Sequence, residues 1–358
     1  MMVQVIQNKP TDPPVVGNGV FPFVPARAFF EEEAMEYPVG RRIYDILNEM
    51  GIEIKSTGSH NRVTGIPGKT AREAYQQGKR TLVVGVRKTL DFQTCKPSAH
   101  FQLPLVTGCP GQCQYCYLNT TMGKKPYIRV YVNIDKILDQ ALEYIDTRLP
   151  EITVFEGAAT SDPLAVEPFT GSLAAAISFF GGQEKANFRF VTKFTNVDSL
   201  LKIKHSGKTR FRFSINSQSI ISAYESGAPG LNQRLEAASK VAEAGYPLGF
   251  IIAPVIIYKG WQEEYGEMFA RLGRLFGALE NLTLEVITHR FTSKAKKIIQ
   301  DVFPDSSLPM DEEQRKFKFG QFGYGKYIYR PAEMEQLKDF IKGLIHENIP
   351  EAKTEYLI

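Results

Sequence analysis

Short apolar runs along the chain alternate with stretches whose apolar residues recur at helical spacing, and the two patterns follow each other through short connections. Leu103–Val106, Ile152–Glu156, Phe188–Thr192, Arg210–Ile215, Leu248–Ala253 and Leu282–Ile287 read as strands. Asp135–Arg148, Gly171–Phe180, Val197–His205, Leu231–Ala244 and Gln262–Ala278 read as amphipathic helices between them, most opened by Asn, Asp or Thr and closed near Gly or Pro. Near-continuous apolar strands alternating with helices predict an α/β fold, and six such units predict an incomplete (β/α)6 parallel barrel. Before the barrel, residues 26–102 read as an α/β region with one helix at Arg41–Met50 and a small β element. After it, residues 291–358 hold alternating aromatics and glycines between Arg315 and Tyr327 that read as a β-hairpin, then a terminal helix. The barrel itself is placed at 103–290. Residues 1–25, with Asp12-Pro13-Pro14 and Gly17-Asn18-Gly19, read as a flexible extension.

Composition narrows the class. The 358 residues are 43% hydrophobic, 23% charged and 11% aromatic, ample for a globular core. The apolar runs stay short of membrane-spanning length, and a basic-then-apolar leader is missing, so a cytoplasmic protein without a membrane partner is expected. A net charge of +4 permits nucleic acid as a partner without arguing for it.

Chemistry enters with the cysteines. Three of the four lie in eight residues, Cys109, Cys113 and Cys116, spaced C-x3-C-x2-C. Three thiolates on one loop can hold three irons of a [4Fe–4S] cube and leave the fourth iron without a protein ligand. A zinc site wants a fourth Cys or His close by, and Cys95 and His100 precede the loop without zinc-ribbon spacing. Three neighbouring cysteines also cannot all pair as disulfides. Zinc and purely structural thiols remain as the lesser readings. With Tyr115 before the last cysteine, the motif resembles that of the radical S-adenosylmethionine superfamily, which implies a [4Fe–4S] cluster and S-adenosylmethionine (AdoMet) as cofactors.

Barrel enzymes gather reacting groups at the C-terminal ends of the strands. Polar residues stand where the apolar runs stop: Glu156 and Thr160-Ser161-Asp162 after the second strand, Lys193 after the third, Ser214 and Asn216 at the fourth, His289-Arg290 after the sixth. Taken singly, Ser161 or Asn216 could equally cap a helix, and a lone lysine is usually a surface charge; it is their collective placement that points to a site.

Over residues 22–358 the chain resembles the spore photoproduct lyase family. The resemblance is carried by Ser59-His60-Asn61, Gly65-Ile66-Pro67-Gly68, 81–87, Lys96-Pro97-Ser98-Ala99, the cysteine loop with Tyr117, 125–133, 207–216, His289-Arg290-Phe291-Thr292 and Gly325-Lys326-Tyr327. It implies a lyase that uses a 5′-deoxyadenosyl radical to revert the methylene-bridged thymine dimer of UV-damaged DNA. By the same resemblance Ser161, Lys193 and Ser214 would contact AdoMet, and Asp162 and Tyr117 would approach the lesion; Asn216 and Ala253 are expected with the first group and Lys96 with the second. A flavodoxin- or ferredoxin-type reductant and a monomeric enzyme are implied with it. A radical enzyme with a different nucleotide or small-molecule substrate is the alternative, and a lesion-binding protein without turnover a third.

Two departures from the family stand out. The family's hydrogen-donating cysteine falls at Ala159, and an alanine has no S–H to give. Cys95 stands where serine is usual, so a relocated donor is expected there, with Tyr115 and Tyr117 as relay partners; the plainer reading is a small buried hydrophobe. At the hairpin tip Gln321 and Phe322 replace an Arg-Tyr pair. Phe322 could still stack and Gln321 bond a base edge, with Lys326 beside them. From Arg290 to Arg330 nine Lys/Arg face five Asp/Glu, which favours backbone phosphates.

Overall fold

The computed structural model describes residues 21–320 and 325–358; most of the 1–25 extension and the tip residues Gln321 and Phe322 lie outside them. Two sheets organise the chain. The first runs Ile54–Ser56, Arg27–Phe30, Thr81–Gly85, Ile128–Tyr131, all parallel, with Val106–Thr107 added antiparallel at the edge. The second has eight strands in the order Lys353–Leu357, Thr283–Thr288, Leu248–Val255, Thr209–Ile215, Ala186–Thr192, Thr153–Glu156, Ala99–Gln102, Thr94–Cys95. Every neighbouring pair in it is parallel except the last.

Strand alternation explains the two faces of this second sheet. Phe188, Phe190, Phe211, Phe213 and Phe250 fall on the face packed against helices and are buried. Phe180, from the helix Ser172–Gly181, stacks on Phe188 at 5.2 Å between ring centroids. The intervening positions carry Glu156, Arg189, Arg212 and Glu285, and these charged residues are also buried. Arg189 Nη2 donates to Glu285 Oε1 at 2.8 Å, although two strands separate theirs. On a flat sheet about 14 Å would divide those strands, and side chains standing perpendicular to it could not meet. The curl tips them toward one another. Arg212 joins Glu285 at 2.6 Å and bonds Glu156 across the intervening strand, so a layer of paired charges fills the concave side. The sheet is the incomplete barrel expected from the pattern.

Two expected elements are corrected. Leu103–Val106 is not the first barrel strand: that strand is Ala99–Gln102, which ends as Leu103 N bonds Glu156 O at 2.9 Å. Pro104 has no N–H with which to continue the ladder, and Val106–Thr107 crosses to the other sheet. Val197–His205 forms successive turns rather than a helix, with Leu200 N on Val197 O and Ile203 N on Leu200 O. Left-handed Ser206 and Gly207 then end it.

The remaining expected helices form within a few residues, at Pro38–Glu49, Ile134–Asp146, Ser172–Gly181, Leu231–Glu243 and Trp261–Phe276. Helices at Ala71–Lys79, Gln218–Tyr224 and Ser293–Val302, and the outer strand Lys353–Leu357, were not expected. The first of these carries a readable signal, for Thr70 and Glu73 make a reciprocal capping box. The hairpin pairs Lys316–Phe319 with Gly325–Ile328, and the helix Pro331–Asn348 follows.

Candidate active site

The cysteine loop leaves the strand Val106–Thr107 through Gly108, whose φ of +91° and proximity to Tyr127 O, 2.6 Å from a would-be Cβ, call for glycine. Gln112–Cys113 then pairs antiparallel with Glu225–Ser226. Side chains from elsewhere tie the loop down. The Lys79 ammonium, itself 2% exposed, donates to Cys109 O at 2.8 Å. Asn119 Nδ2 donates to Cys113 O at 3.0 Å, with Tyr75 OH on Asn119 Oδ1 at 3.1 Å. A loop held by side chains of the helices Ala71–Lys79 and Leu118–Thr121 and paired with Glu225–Ser226 presents its thiols in a fixed arrangement.

The three thiols are unpaired, Cys113 buried and Cys109 and Cys116 half-buried. Burial pushes both Cys109 and Cys113 above the ordinary thiol range, Cys113 to about 12, against the pull of the Lys193 ammonium. Such thiols become thiolates only when a metal displaces their protons. Among the described residues no three Cys, His, Asp or Glu converge as ligands of one ion. A cube places each thiolate on a different iron, so the loop suits it better than a mononuclear site.

Beside the loop lies a buried polar cluster. Lys193 Nζ donates to Ser214 Oγ at 2.7 Å and to Glu225 Oε1 at 3.2 Å, and Tyr115 OH also donates to Glu225. Arg234, fully buried, grips the other oxygen of Glu225 at 2.5 Å and reaches Ser214 O at 2.9 Å. Burial alone would raise Glu225, yet the Lys193 ammonium and Arg234 guanidinium outweigh it and hold its carboxyl below the usual range. Glu225 and Arg234 were not anticipated from sequence, where a buried charge pair looks like two surface charges.

Ser161 sits beside the loop, bridged to Gly108, and its hydroxyl is buried with no partner among the described residues. The orphaned Ser161 hydroxyl, one residue from the Asp162 that bonds Lys193 N, together with the Lys193 ammonium held on Ser214, is a donor set that a zwitterionic cofactor such as AdoMet would complete. Asn216 is differently employed. It donates to Pro254 O at 2.8 Å and accepts from Tyr265 OH at 2.6 Å and Ser217 N at 3.0 Å, at the bulge that includes Ala253. The Asp162 carboxylate accepts from Thr192 Oγ1 and Lys193 N, each at 2.8 Å, and burial lifts it to about 6 despite those bonds.

Cys95 ends the short strand Thr94–Cys95 and is half-buried; burial raises its thiol, with Arg212 and Arg189 pulling the other way, so it stays S–H at neutral pH. Lys96 next to it is exposed. The Tyr117 ring is 58% exposed, but its hydroxyl donates to Ala159 O. Burial raises that phenol first, and the neighbouring Cys116 and Cys95 raise it further. Gly157 leaves room for packing: a Cβ there would stand 2.7 Å from the Phe188 ring.

At the hairpin, Lys318 and Lys326 lie directly opposite each other, and Lys326 is lowered by burial and then by Arg290 and Lys318. Phe319 is 79% exposed. Like charges opposed across a ladder are costly unless an anion neutralises them. Arg315 fixes the hairpin base, donating to His289 O at 3.1 Å and reaching His289 Nδ1 at 3.3 Å. Arginine cannot accept, so Nδ1 is the acceptor and the imidazole proton sits on Nε2.

The fold and this loop have close counterparts. A family model described as spore photoproduct lyase matches residues 23–358. The spore photoproduct lyase of Geobacillus sp. (strain Y412MC61) is 51% identical over 337 residues, 94% of this chain and 99% of that relative. That of Bacillus subtilis (strain 168) is 49% identical, over 94% of this chain and 98% of its own. Among solved structures, spore photoproduct lyase complexed with dinucleoside spore photoproduct superimposes with a TM-score of 0.91 at 49% identity, covering 94% of this chain and 100% of that one. A variant with alanine for one cysteine and cysteine for one serine, with bound AdoMet and dinucleoside spore photoproduct, gives 0.91 at 50% identity over the same shares. With the family model matching residues 23–358 and relatives near 50% identical over 94% of its length, the chain belongs to the spore photoproduct lyase family.

Proposed function

We propose that this chain is a DNA-repair lyase that reverts the methylene-bridged thymine dimer to two thymines, with Cys95 as the hydrogen donor. The observation that carries the reading is the pairing of Ala159 with Cys95. In the AdoMet-bound variant the lost and the gained cysteine lie the same number of positions apart, and in the same order, as Ala159 and Cys95.

Cys109, Cys113 and Cys116 would hold a [4Fe–4S] cluster, and Lys193, Ser214 and Ser161 would take the charged end of AdoMet. Together these groups would supply, when bound, the radical chemistry that starts the reaction. The chain's own task is then to position the lesion, exclude other hydrogen sources and return one hydrogen atom. Cys95 returns it by breaking its S–H bond as the product C–H bond forms, leaving a thiyl radical for which Tyr117 and Tyr115 are relay partners. Lys96, Lys326 and the hairpin would hold the DNA strand. A flavodoxin- or ferredoxin-type protein would provide the electron, and the enzyme would act as a monomer.

The test is anaerobic reconstitution with iron, sulfide, AdoMet, reductant and the methylene-bridged thymine dinucleotide, with repaired product and 5′-deoxyadenosine quantified by mass spectrometry. Clean repair in the wild type, and adducts or stalled product in Cys95→Ala, are expected. Unchanged yield and product identity in Cys95→Ala would remove Cys95 from the mechanism.

A further inference from the structure

Two arginines stand near the site in an arrangement that the chemistry above does not use. The first sheet has the order Ile54–Ser56, Arg27–Phe30, Thr81–Gly85, Ile128–Tyr131, so successive connections leave Arg27–Phe30 in opposite directions. In parallel α/β sheets the crevice beyond the carboxyl ends at such a reversal is where ligands bind. Here those ends are Glu31, after the first strand, and Val86-Arg87, after Thr81–Gly85. Gly85 permits the close approach, since a Cβ there would lie 2.6 Å from Glu31 Oε2 and 2.8 Å from His60 Cβ.

The acids at this point are already engaged or exposed. Glu31 Oε1 accepts from His60 N at 2.7 Å and contacts His60 Nδ1 at 2.9 Å, and its Oε2 accepts from Val86 N at 2.9 Å. Asp91 lines the cleft as well and is exposed to solvent. The arginines are not neutralised: among the described residues neither Arg87 nor Arg129 forms an ion pair. Arg87 donates only Nε, to Thr89 O at 2.8 Å, and its guanidinium lies 5.5 Å from the Tyr131 ring centre. Arg129 donates Nη1 to Asn61 Oδ1 at 3.0 Å, while its buried Nε has no partner. Tyr131, which supports Arg87, hydrogen-bonds Thr107 at the root of the cysteine loop at 2.8 Å.

Arg87 and Arg129 line one cleft of about 190 Å³ together with Gly157, Ala159 and Thr160. The cleft therefore joins two cationic residues to the residue on which the Tyr117 hydroxyl rests. Planar N–H forks without a carboxylate partner match phosphate oxygens in charge and geometry. The volume admits a phosphodiester group, not a duplex.

We propose that Arg87 and Arg129 form a phosphate subsite that holds a phosphodiester of the substrate strand beside the lesion. This rests on the lyase reading and adds to it a specificity: the backbone phosphate is read from the side of the N-terminal sheet, across the site from the basic hairpin.

The experiment compares binding of the methylene-bridged thymine dinucleotide, which has the phosphodiester, with that of the phosphate-free dinucleoside, by titration calorimetry. Wild type, Arg87→Gln, Arg129→Gln and Arg87→Lys are measured, with the thermal midpoint of each recorded. The wild type should prefer the dinucleotide about tenfold, the size of one charge-assisted hydrogen bond. Each Gln variant should lose that preference while keeping its dinucleoside affinity, and Arg87→Lys should retain part of it. A wild type that binds both equally, or Gln variants that weaken both compounds alike, would overturn the subsite and leave the lyase reading standing. Binding of neither compound by the wild type would overturn the lyase reading and the subsite with it.

Discussion

The Tyr117 hydroxyl donates to the backbone carbonyl of Ala159, so the phenol rests on the very position where the family's hydrogen donor would stand. Restoring a thiol at 159 would place an S–H beside that contact. The expected outcome is that Ala159→Cys in a Cys95→Ala background regains repair that Cys95→Ala alone has lost. Product analysis after anaerobic turnover decides it: adducts from the double variant would mean that position 159 no longer faces the substrate.

Glu225 is the junction of Lys193, Tyr115 and Arg234, and its strand pairs with the cysteine loop. Removing one partner of a buried ion pair costs about 3–5 kcal/mol because the other is left uncompensated. Glu225→Gln should lose stability on that scale in urea unfolding, and should weaken AdoMet binding because Lys193 loses its anchor.

Gly157 faces the Phe188 ring at 2.7 Å from where a Cβ would be, and Phe188 is stacked on Phe180 in the core. Overpacking of this kind costs about 1–3 kcal/mol. Gly157→Ala should therefore lower the thermal midpoint, and Phe188→Leu in the same chain should recover part of the loss.

Legibility in the sequence followed physical causes. Lys193, Ser214, Ser161 and Asp162 could be singled out because parallel strands end in apolar runs and the next polar residues fall at the barrel mouth. Leu103–Val106 looked like a strand on apolar content alone, and Pro104 spoiled it. Val197–His205 had apolar residues at three-residue spacing, which tandem turns bury as well as a helix does. Lys353–Leu357 is a half-exposed outer strand without apolar alternation. Arg234 and Glu225 are nine residues apart across a turn and a helix, and only the tertiary fold reveals that they meet in the interior.

Glu167 caps the helix Ser172–Gly181, accepting from Leu173 N at 2.8 Å and Ala174 N at 2.9 Å, and burial lifts its carboxyl from 4.5 to about 7. Between those values the folded chain keeps a proton that the unfolded chain has lost, so stability falls as pH rises through the window. Glu167→Gln does not titrate and should gain on the wild type from pH 4.5 to about 7, then run parallel to it. Scanning calorimetry across that range measures the difference; a constant offset would show that the group is not perturbed.

Lys326 faces Lys318 across the hairpin and is crowded by Arg290. If the cluster meets a DNA backbone, Lys326→Ala should reduce the salt slope of duplex binding by about 1. Affinity for damaged and undamaged duplex should fall by the same factor, as fluorescence anisotropy at several salt concentrations would register.

The paired charges inside the barrel have a consequence for radical chemistry. Arg189, Arg212, Glu156 and Glu285 present guanidinium N–H bonds and carboxylate oxygens to the concave interior, where leucines or methionines would present C–H bonds that a carbon radical can attack. The N–H bonds are too strong to give up a hydrogen atom, and the carboxylates have none to give. The polar tips that face the interior thus offer a radical no easily broken bond, and in the proposed reaction the weak S–H bond is that of Cys95, whose ionisation the same two arginines influence.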